Sequence, residues 1–311
     1  MQIIDLHCDT ILHLVDQPQL RLFDNNLSID IKKLKRGNSI AQFFALYIDL
    51  AEQKNPLQRC LSMVDLFYRE IQENHKDIAL ALNAEELSLN QKAGKISAFL
   101  TIEEGAAIQG RLENLRNFYR LGVRLLTLTW NYPNEMGYPN CEEKYRTQGL
   151  TDFGQQVVVE MNTLGMIIDV SHLSDQGFYD VARLSKKPFV ASHSNARSVR
   201  EHSRNMTDDM IRLLAQKGGI MGINFSGNFL DGSKDSKVDA MVRHIKHIYN
   251  VGGIDVIALG TDFDGIEYNL EIANVGEMDK LIGALGKSGF TTGEIEKICC
   301  QNALKVIREC L

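Results

Sequence analysis

MIIDVSHLSDQGFYDVARLSKKPFVASH (166–193) is the stretch on which the fold reading turns. It opens with an apolar run, MIIDVSH (166–172), and closes with another, PFVASH (188–193). Between them, SDQGFYDVARLS (174–185) places apolar residues at helical spacing behind a serine suited to cap a helix. Strand, helix and strand in close succession predict a parallel crossover unit, because parallel strands need a long connection and a helix usually supplies it. Each run also ends in a histidine, His172 and His193.

The same alternation runs along the chain. Further apolar runs are QIIDL (2–6), AQFFALYIDL (41–50), ISAFLTIE (96–103), VRLLTLTW (123–130), GGIMGINF (218–225) and DVIALGTDF (255–263), eight in all with the two above. Their near-continuous Val, Ile, Leu, Phe and Ala content suits strands buried on both faces. Helical patterns lie between them at 56–74, 111–122, 150–165, 207–218 and 237–253, and a last stretch at 291–310 reads as a C-terminal helix or pair. This predicts an α/β fold, a TIM-like (β/α)8 barrel forming a single domain over residues 1–311. A doubly wound open sheet is the alternative, disfavoured by strand count and length. Only the connection between 7 and 40 lacks a clear helix, so that segment is expected to be irregular and to cover part of the barrel mouth.

The bulk numbers narrow the partners. Net charge is −6, from 40 acidic and 34 basic residues among 311, so no basic excess exists to meet nucleic-acid phosphates. No apolar run approaches the roughly 18 residues of a membrane span. The N-terminus has no leader pattern, which makes a cytoplasmic, membrane-free protein the expectation. Six cysteines form no C-x-x-C pair and are expected to remain thiols.

In a TIM barrel the chemistry sits at the C-terminal ends of the strands. The first run leads to His7 and Asp9, the third to Glu103, the fifth to His172, the sixth to His193 and the eighth to Asp262. Singly, each is an ordinary polar strand end; five strands converging on one mouth are not. His7 and Asp9 stand at i and i+2, where strand side chains point the same way. Cys8 then faces the layer between strand and helices. Imidazole with carboxylate suits zinc, with manganese and other first-row divalent ions also compatible. Glu103 follows an apolar run and needs a partner if buried. Two ions bridged by Glu103 supply one, and a hydroxide held between two cations is a nucleophile at neutral pH. Glu104 is expected on the opposite side, solvated or capping a helix. Asp262 is the natural proton carrier; strand logic alone does not choose it over Asp264, for which a turn role in DFDG is expected.

At this point the chain resembles the renal (membrane) dipeptidase family, metallopeptidases related to the amidohydrolases. The resemblance rests on DLHCDT, LTIEEG, RLLTLTW, QGLTDFGQQVV, IDVSH, SHSNARSVREHSRN and LGTDFDG, in the family's order from residue 5 to 265. It implies a TIM-like barrel with two zinc ions per chain: His7 and Asp9 on one, His172 and His193 on the other, Glu103 between them. It further implies Asp262 as the catalytic acid/base and Arg204 as the residue that binds the C-terminal carboxylate of a dipeptide. A guanidinium suits that task, although sequence alone would make Arg204 a surface charge. Relatives are often homodimers, so self-association is expected with the resemblance.

One position departs from the pattern. Where the best-known members have a substrate-contacting histidine after LTLT, this chain has Trp130 followed by Asn131. Trp130 can only donate a hydrogen bond. Either Trp130 or Asn131 lines the pocket in another way, or the substrate differs. The leading expectation is therefore a zinc dipeptidase acting on free dipeptides, with L-Xaa-D-Xaa included. The alternative keeps the site and changes the substrate to N-acyl amino acids, a lactam or a lactone. A metal-binding scaffold without catalysis is disfavoured, because the ligand set and proton carrier are intact.

Overall fold

The structure is a computed structural model that describes residues 1–266 and 269–311. The described strands are β1 (Ile3–Cys8), β2 (Ser39–Tyr47), β3 (Ile78–Leu80), β4 (Ile96–Glu103), β5 (Val123–Thr127), β6 (Ile167–Asp169), β7 (Val190–Ala191), β8 (Ile220–Ile223), β9 (Asp235–Ser236), β10 (Ile257–Leu259) and β11 (Asn269–Leu270). Neighbours in the main sheet run β2-β1-β10-β8-β7-β6-β5-β4, all parallel, and a β2–β4 pairing closes the ring. The result is a closed eight-stranded barrel ringed by helices, as the alternating pattern predicts.

The helices begin and end where side-chain chemistry directs. Thr151, Ser174 and Thr207 each accept a backbone N–H from their own helix's first turn. The helix Asp152–Leu164 stops at Gly165, whose φ of 78° is a left-handed cap that glycine adopts without a Cβ clash.

Two expectations need correction. The connection between 7 and 40 is not without helix: it holds Thr10–Asp16 and Ile31–Arg36. Both are too short to show a periodic apolar face. The eight apolar runs also miss β3, a three-residue strand beside the N-terminal half of β4, below the part of β4 that pairs with β5. Among the described residues no helix is long and apolar enough to cross a membrane.

The barrel interior is built in layers, and the layers position the site. Ile4, Phe43, Phe99, Leu125, Ile167, Val190, Ile220 and Ala258 put one apolar side chain from each barrel strand into a single cluster. Phe43 and Phe99 stack there with centroids 4.6 Å apart. Ala303, Val306 and Ile307 of the C-terminal helix belong to the same cluster and plug the barrel's N-terminal end. Two residues further along β5, β6 and β7, on the same face by strand alternation, stand Thr127, Asp169 and Ser192. All three are buried and hydrogen-bonded together. At the same height β8 and β10 carry Gly222 and Gly260. A Cβ on either would lie 2.0 or 1.7 Å from the Ser192 carbonyl oxygen, so only glycine fits. Above this polar layer lie the candidate ligands.

Candidate active site

Asp9, Glu103, Trp130, Asn131, His172, Arg204 and Asp262 line one cavity of about 620 Å³ at the C-terminal end of the barrel, with His7 and His193 packed directly against them. Seven elements or loops deliver these side chains, so the predicted convergence is present. His7 Nε2 lies 3.3 Å from Asp9 Oδ2, 3.3 Å from Glu103 Oε2 and 3.8 Å from Asp262 Oδ1. The other Glu103 oxygen, Oε1, is 3.1 Å from His172 Nε2 and 3.3 Å from His193 Nε2. Those two nitrogens are 3.0 Å apart.

The route by which His7 meets Asp9 differs from the expected one. β1 ends at Cys8, its pairing with β2 shifts register between Asp5 and Cys8, and Asp9 stands just before the following helix with φ −103° and ψ 19°, its side chain making no capping bond. The bend after the strand, not alternation along it, aims both groups at one point. Cys8 does turn away, its sulfur 3.5 Å from the Phe43 carbonyl. Glu104 is corrected in part. It caps a short turn through the Ala106 N–H, as expected, but it is fully buried and not solvated. It also accepts the Trp130 N–H at 3.0 Å, and burial lifts its pKa to about 7. Asp264 likewise is more than a turn residue. It accepts the Thr10 hydroxyl and the Ser28 N–H, tying the 7–40 connection to the end of β10.

His172, Asp262 and Asp264 have φ of 67°, 62° and 68°, a left-handed backbone that costs a side-chain-bearing residue about 1–3 kcal/mol and clusters at functional sites. The electrostatics are equally polarised. Burial opposes a charge on His7, yet the carboxylates of Glu103 and Asp9 hold its pKa well above the usual value. Burial also opposes ionisation of Glu103, but the facing imidazoles, His7 first, keep it well below. Burial lowers His172 to about 4 and pushes His193 far down. Burial raises Asp262 to about 7, and Asn224 Nδ2 donates to its Oδ2 at 2.8 Å.

The donor set fits divalent ions. His172 Nδ1 faces the Asn131 side-chain oxygen at 3.1 Å and so donates, which leaves Nε2 without a proton. Among the described residues neither His7 nitrogen nor Glu103 Oε1 has a hydrogen-bond partner. Bare lone pairs 3.0–3.3 Å apart repel one another unless a cation lies among them. A tetrahedral ion with ligands at ~2.0–2.1 Å sets its donor atoms about 3.3 Å apart, which is the spacing found. Two overlapping trios, His7–Glu103–His193 and His7–Asp9–Asp262, each bring their donor atoms within 4.8 Å of one another.

Arg204 is buried, 4% exposed, with its guanidinium over the Phe229 ring. Its Nη2 donates to the His193 carbonyl at 3.3 Å, while Nε and Nη1 have no partner among the described residues. A buried cation with spare donors on a cavity wall is suited to an anionic group. Trp130 packs its ring edge-on against Tyr47, centroids 4.9 Å apart, and forms an aromatic wall. Sequence reasoning missed Tyr47, Asn224 and the Thr127–Asp169–Ser192 layer. Each lies inside an apolar run and not at its end, where Glu103 stands, and none carries a metal-ligand motif of its own.

A sequence model of the membrane dipeptidase family (peptidase family M19) matches residues 1–310. An uncharacterized protein in the pqqA 5′ region of Klebsiella pneumoniae is 34% identical over 241 residues, 74% of this chain and 88% of that protein. Among solved structures, a metallopeptidase from Rhodobacter sphaeroides liganded with a phosphinate mimic of the dipeptide L-Ala-D-Ala is similar at TM-score 0.92 and 26% identity, covering 100% of this chain and 99% of the other. Dipeptidase AC, a metallopeptidase of family M19, gives TM-score 0.93 at 27% identity over 100% and 98% of the two chains.

Proposed function

The chain belongs to the membrane dipeptidase family, peptidase family M19, and on that premise we propose that it hydrolyses free dipeptides, L-Xaa-D-Xaa among them, with two zinc ions in the barrel mouth. As a member it is a metallo-dipeptidase, a hydrolase acting on peptide bonds. His7 and Asp9 would hold one ion, His172 and His193 the other, with Glu103 between them. Bound there, the ions would activate water and polarise the scissile carbonyl. The observation that carries the reading is the group of bare acceptors, Glu103 Oε1 with the Nε2 atoms of His172 and His193, on the cavity that Arg204 also lines.

The protein's own groups then have distinct tasks. Arg204 offers Nε and Nη1 to the substrate's terminal carboxylate and so fixes which end of the dipeptide enters. Asp262 is held at Oδ2 by Asn224, which leaves Oδ1 to take a proton from the attacking water and deliver it to the leaving amine nitrogen. A pKa of about 7 suits a group that must both accept and return a proton. Asn131 orients His172 through Nδ1. The Trp130–Tyr47 wall offers apolar surface where the family's histidine would stand. The phosphinate mimic of L-Ala-D-Ala in the Rhodobacter sphaeroides metallopeptidase supports the D-configured second residue.

The test is metal content of the purified protein, together with hydrolysis of a panel of L-Xaa-L-Xaa, L-Xaa-D-Xaa and N-acyl amino acid substrates. Two equivalents of zinc and cleavage of free dipeptides are expected. Cleavage of the N-acyl compounds alone would transfer the site to the amidohydrolase alternative that Trp130 motivates. One equivalent would remove the bridging role of Glu103.

A further inference from the structure

Beneath the ligands, Asp169 is fully buried and satisfied by four donors. Its Oδ1 accepts the backbone N–H of Ser171 at 3.0 Å and of Ser192 at 2.8 Å. Its Oδ2 accepts the hydroxyls of Thr127 at 2.7 Å and Ser192 at 2.6 Å. Ser192 Oγ also lies 2.7 Å from His193 Nδ1. A hydroxyl has one proton to donate and a carboxylate can only accept. The Ser192 proton therefore goes to Asp169, and Ser192 Oγ accepts from His193 Nδ1–H. The His193 Nε2 is left bare, 3.3 Å from Glu103 Oε1.

We propose that Asp169 and Ser192 are positioning residues that set the tautomer of His193, the carboxylate acting through the serine hydroxyl; the idea rests on His193 being a metal ligand. A ligating histidine usually hands its other N–H to a carboxylate, a carbonyl or water, and loss of that partner weakens metal binding. The three candidate histidines differ in this respect. His193 has a carboxylate behind a hydroxyl, His172 has the Asn131 amide oxygen, and His7 Nδ1 has no partner among the described residues. Among the described residues, only His193 is hydrogen-bonded to a hydroxyl that itself binds a carboxylate.

The geometry dictates a specific failure. In Asp169→Asn the oxygen must stay with the two backbone N–H groups, which turns the amide –NH2 toward the hydroxyls. It then donates to Ser192 Oγ, and the Ser192 proton swings to His193 Nδ1, which at 2.7 Å is nearer than its other acceptor, Ser171 Oγ at 3.4 Å. The imidazole proton is forced onto Nε2, the atom meant for the ion. Ser192→Ala only removes the support and leaves the tautomer free.

Zinc affinity of the full-length protein, read by chelator competition, separates these cases. Visible spectra of the cobalt-loaded enzyme report the ligand field, and urea unfolding reports stability. Ser192→Ala is expected to weaken zinc binding ~10–100-fold, the range for loss of such a partner. Asp169→Asn should weaken it further. The double variant should fall back to the Ser192→Ala value, because the hydroxyl that transmits the reversal is gone. Asp169→Asn binding zinc within twofold of wild type, while His193→Ala loses an ion, overturns the relay. His193→Ala retaining both ions overturns instead the ligand assignment under Proposed function. Should the variants not fold, a long-range 1H–15N spectrum of wild-type zinc protein decides: a proton on His193 Nδ1 supports the relay, and one on Nε2 ends it.

Discussion

Arg197 and Arg204 stand in the same loop, are 8% and 4% exposed, and have opposite surroundings. Arg197 faces away from the barrel mouth. It grips Asp175 with two bonds of 2.7 and 2.8 Å and donates to the Asn205 and Ser203 carbonyls. Arg204 faces the mouth with two donors unused among the described residues. The histidines divide in the same way. His244, in the layer between helix and barrel, accepts the Ala196 N–H at Nδ1 and meets the Leu230 carbonyl with Nε2. His7, in the mouth, has neither nitrogen satisfied. Burial is common to both regions; satisfaction is not. Buried polar groups are almost always paired, and single exceptions such as Ser39 and Ser236 lie elsewhere, so it is the cluster of unpaired groups at the mouth that marks where something else belongs.

The comparison breaks or sharpens under substitution. The largest effect is expected at Glu103, which faces all three mouth histidines. Glu103→Gln should release metal and lower kcat/KM by at least ~10⁴-fold, about 5.5 kcal/mol in transition-state terms. A variant that keeps its metal and its activity would end the idea that this carboxylate organises the mouth.

Arg197→Met should leave the half-buried Asp175 with Arg146 alone, 3.0 Å away, and lower unfolding stability by about 3 kcal/mol with KM little changed. Urea titration and steady-state kinetics read the two quantities separately. Arg204→Met should do the reverse. It removes an unsatisfied buried charge, so the fold is as stable or more so, while KM for dipeptides rises ~100-fold, about 2.7 kcal/mol. If Arg204→Met costs stability and spares KM, the division between the two arginines fails.

His244 gives the smallest effect near neutral pH. Burial lowers its pKa from 6.5 to about 4, so the unfolded chain takes up the proton first. The contribution is complete above pH 6.5 and is lost as pH falls, about 1.4 kcal/mol by pH 5.5 and on the order of 3 kcal/mol by pH 4. His244→Gln should flatten that part of the stability–pH curve relative to wild type. An unchanged slope would mean that this histidine is not the one charging.

Much of the architecture could be read before any coordinates. β1, β2, β4 and β8 are long apolar runs, and the helices behind Thr151, Ser174 and Thr207 announce themselves by their caps. β3 was missed: it lies outside the alternating ring and pairs with β4 alone, which is a tertiary event. In the mouth, Glu103 was legible as a carboxylate at the end of an apolar run. Glu104 was legible as a cap but its burial was not, because its partners Trp130 and Asn134 arrive from another loop. Arg204 looked like a surface charge, since its burial against Phe229 depends on a segment beyond the next strand.

The sequence by itself determined which residue types stand at the strand ends, and hence that nitrogen and oxygen ligands would gather at one mouth. Strand alternation and apolar runs are local properties, and they survive in the bare string. Only the tertiary structure decided which buried polar groups are satisfied. Asp169 meets Thr127 and Ser192 across neighbouring strands, at heights set by the register of a closed barrel. A hydrogen bond requires two atoms within about 3 Å, and that closeness exists only after the ring of strands has closed.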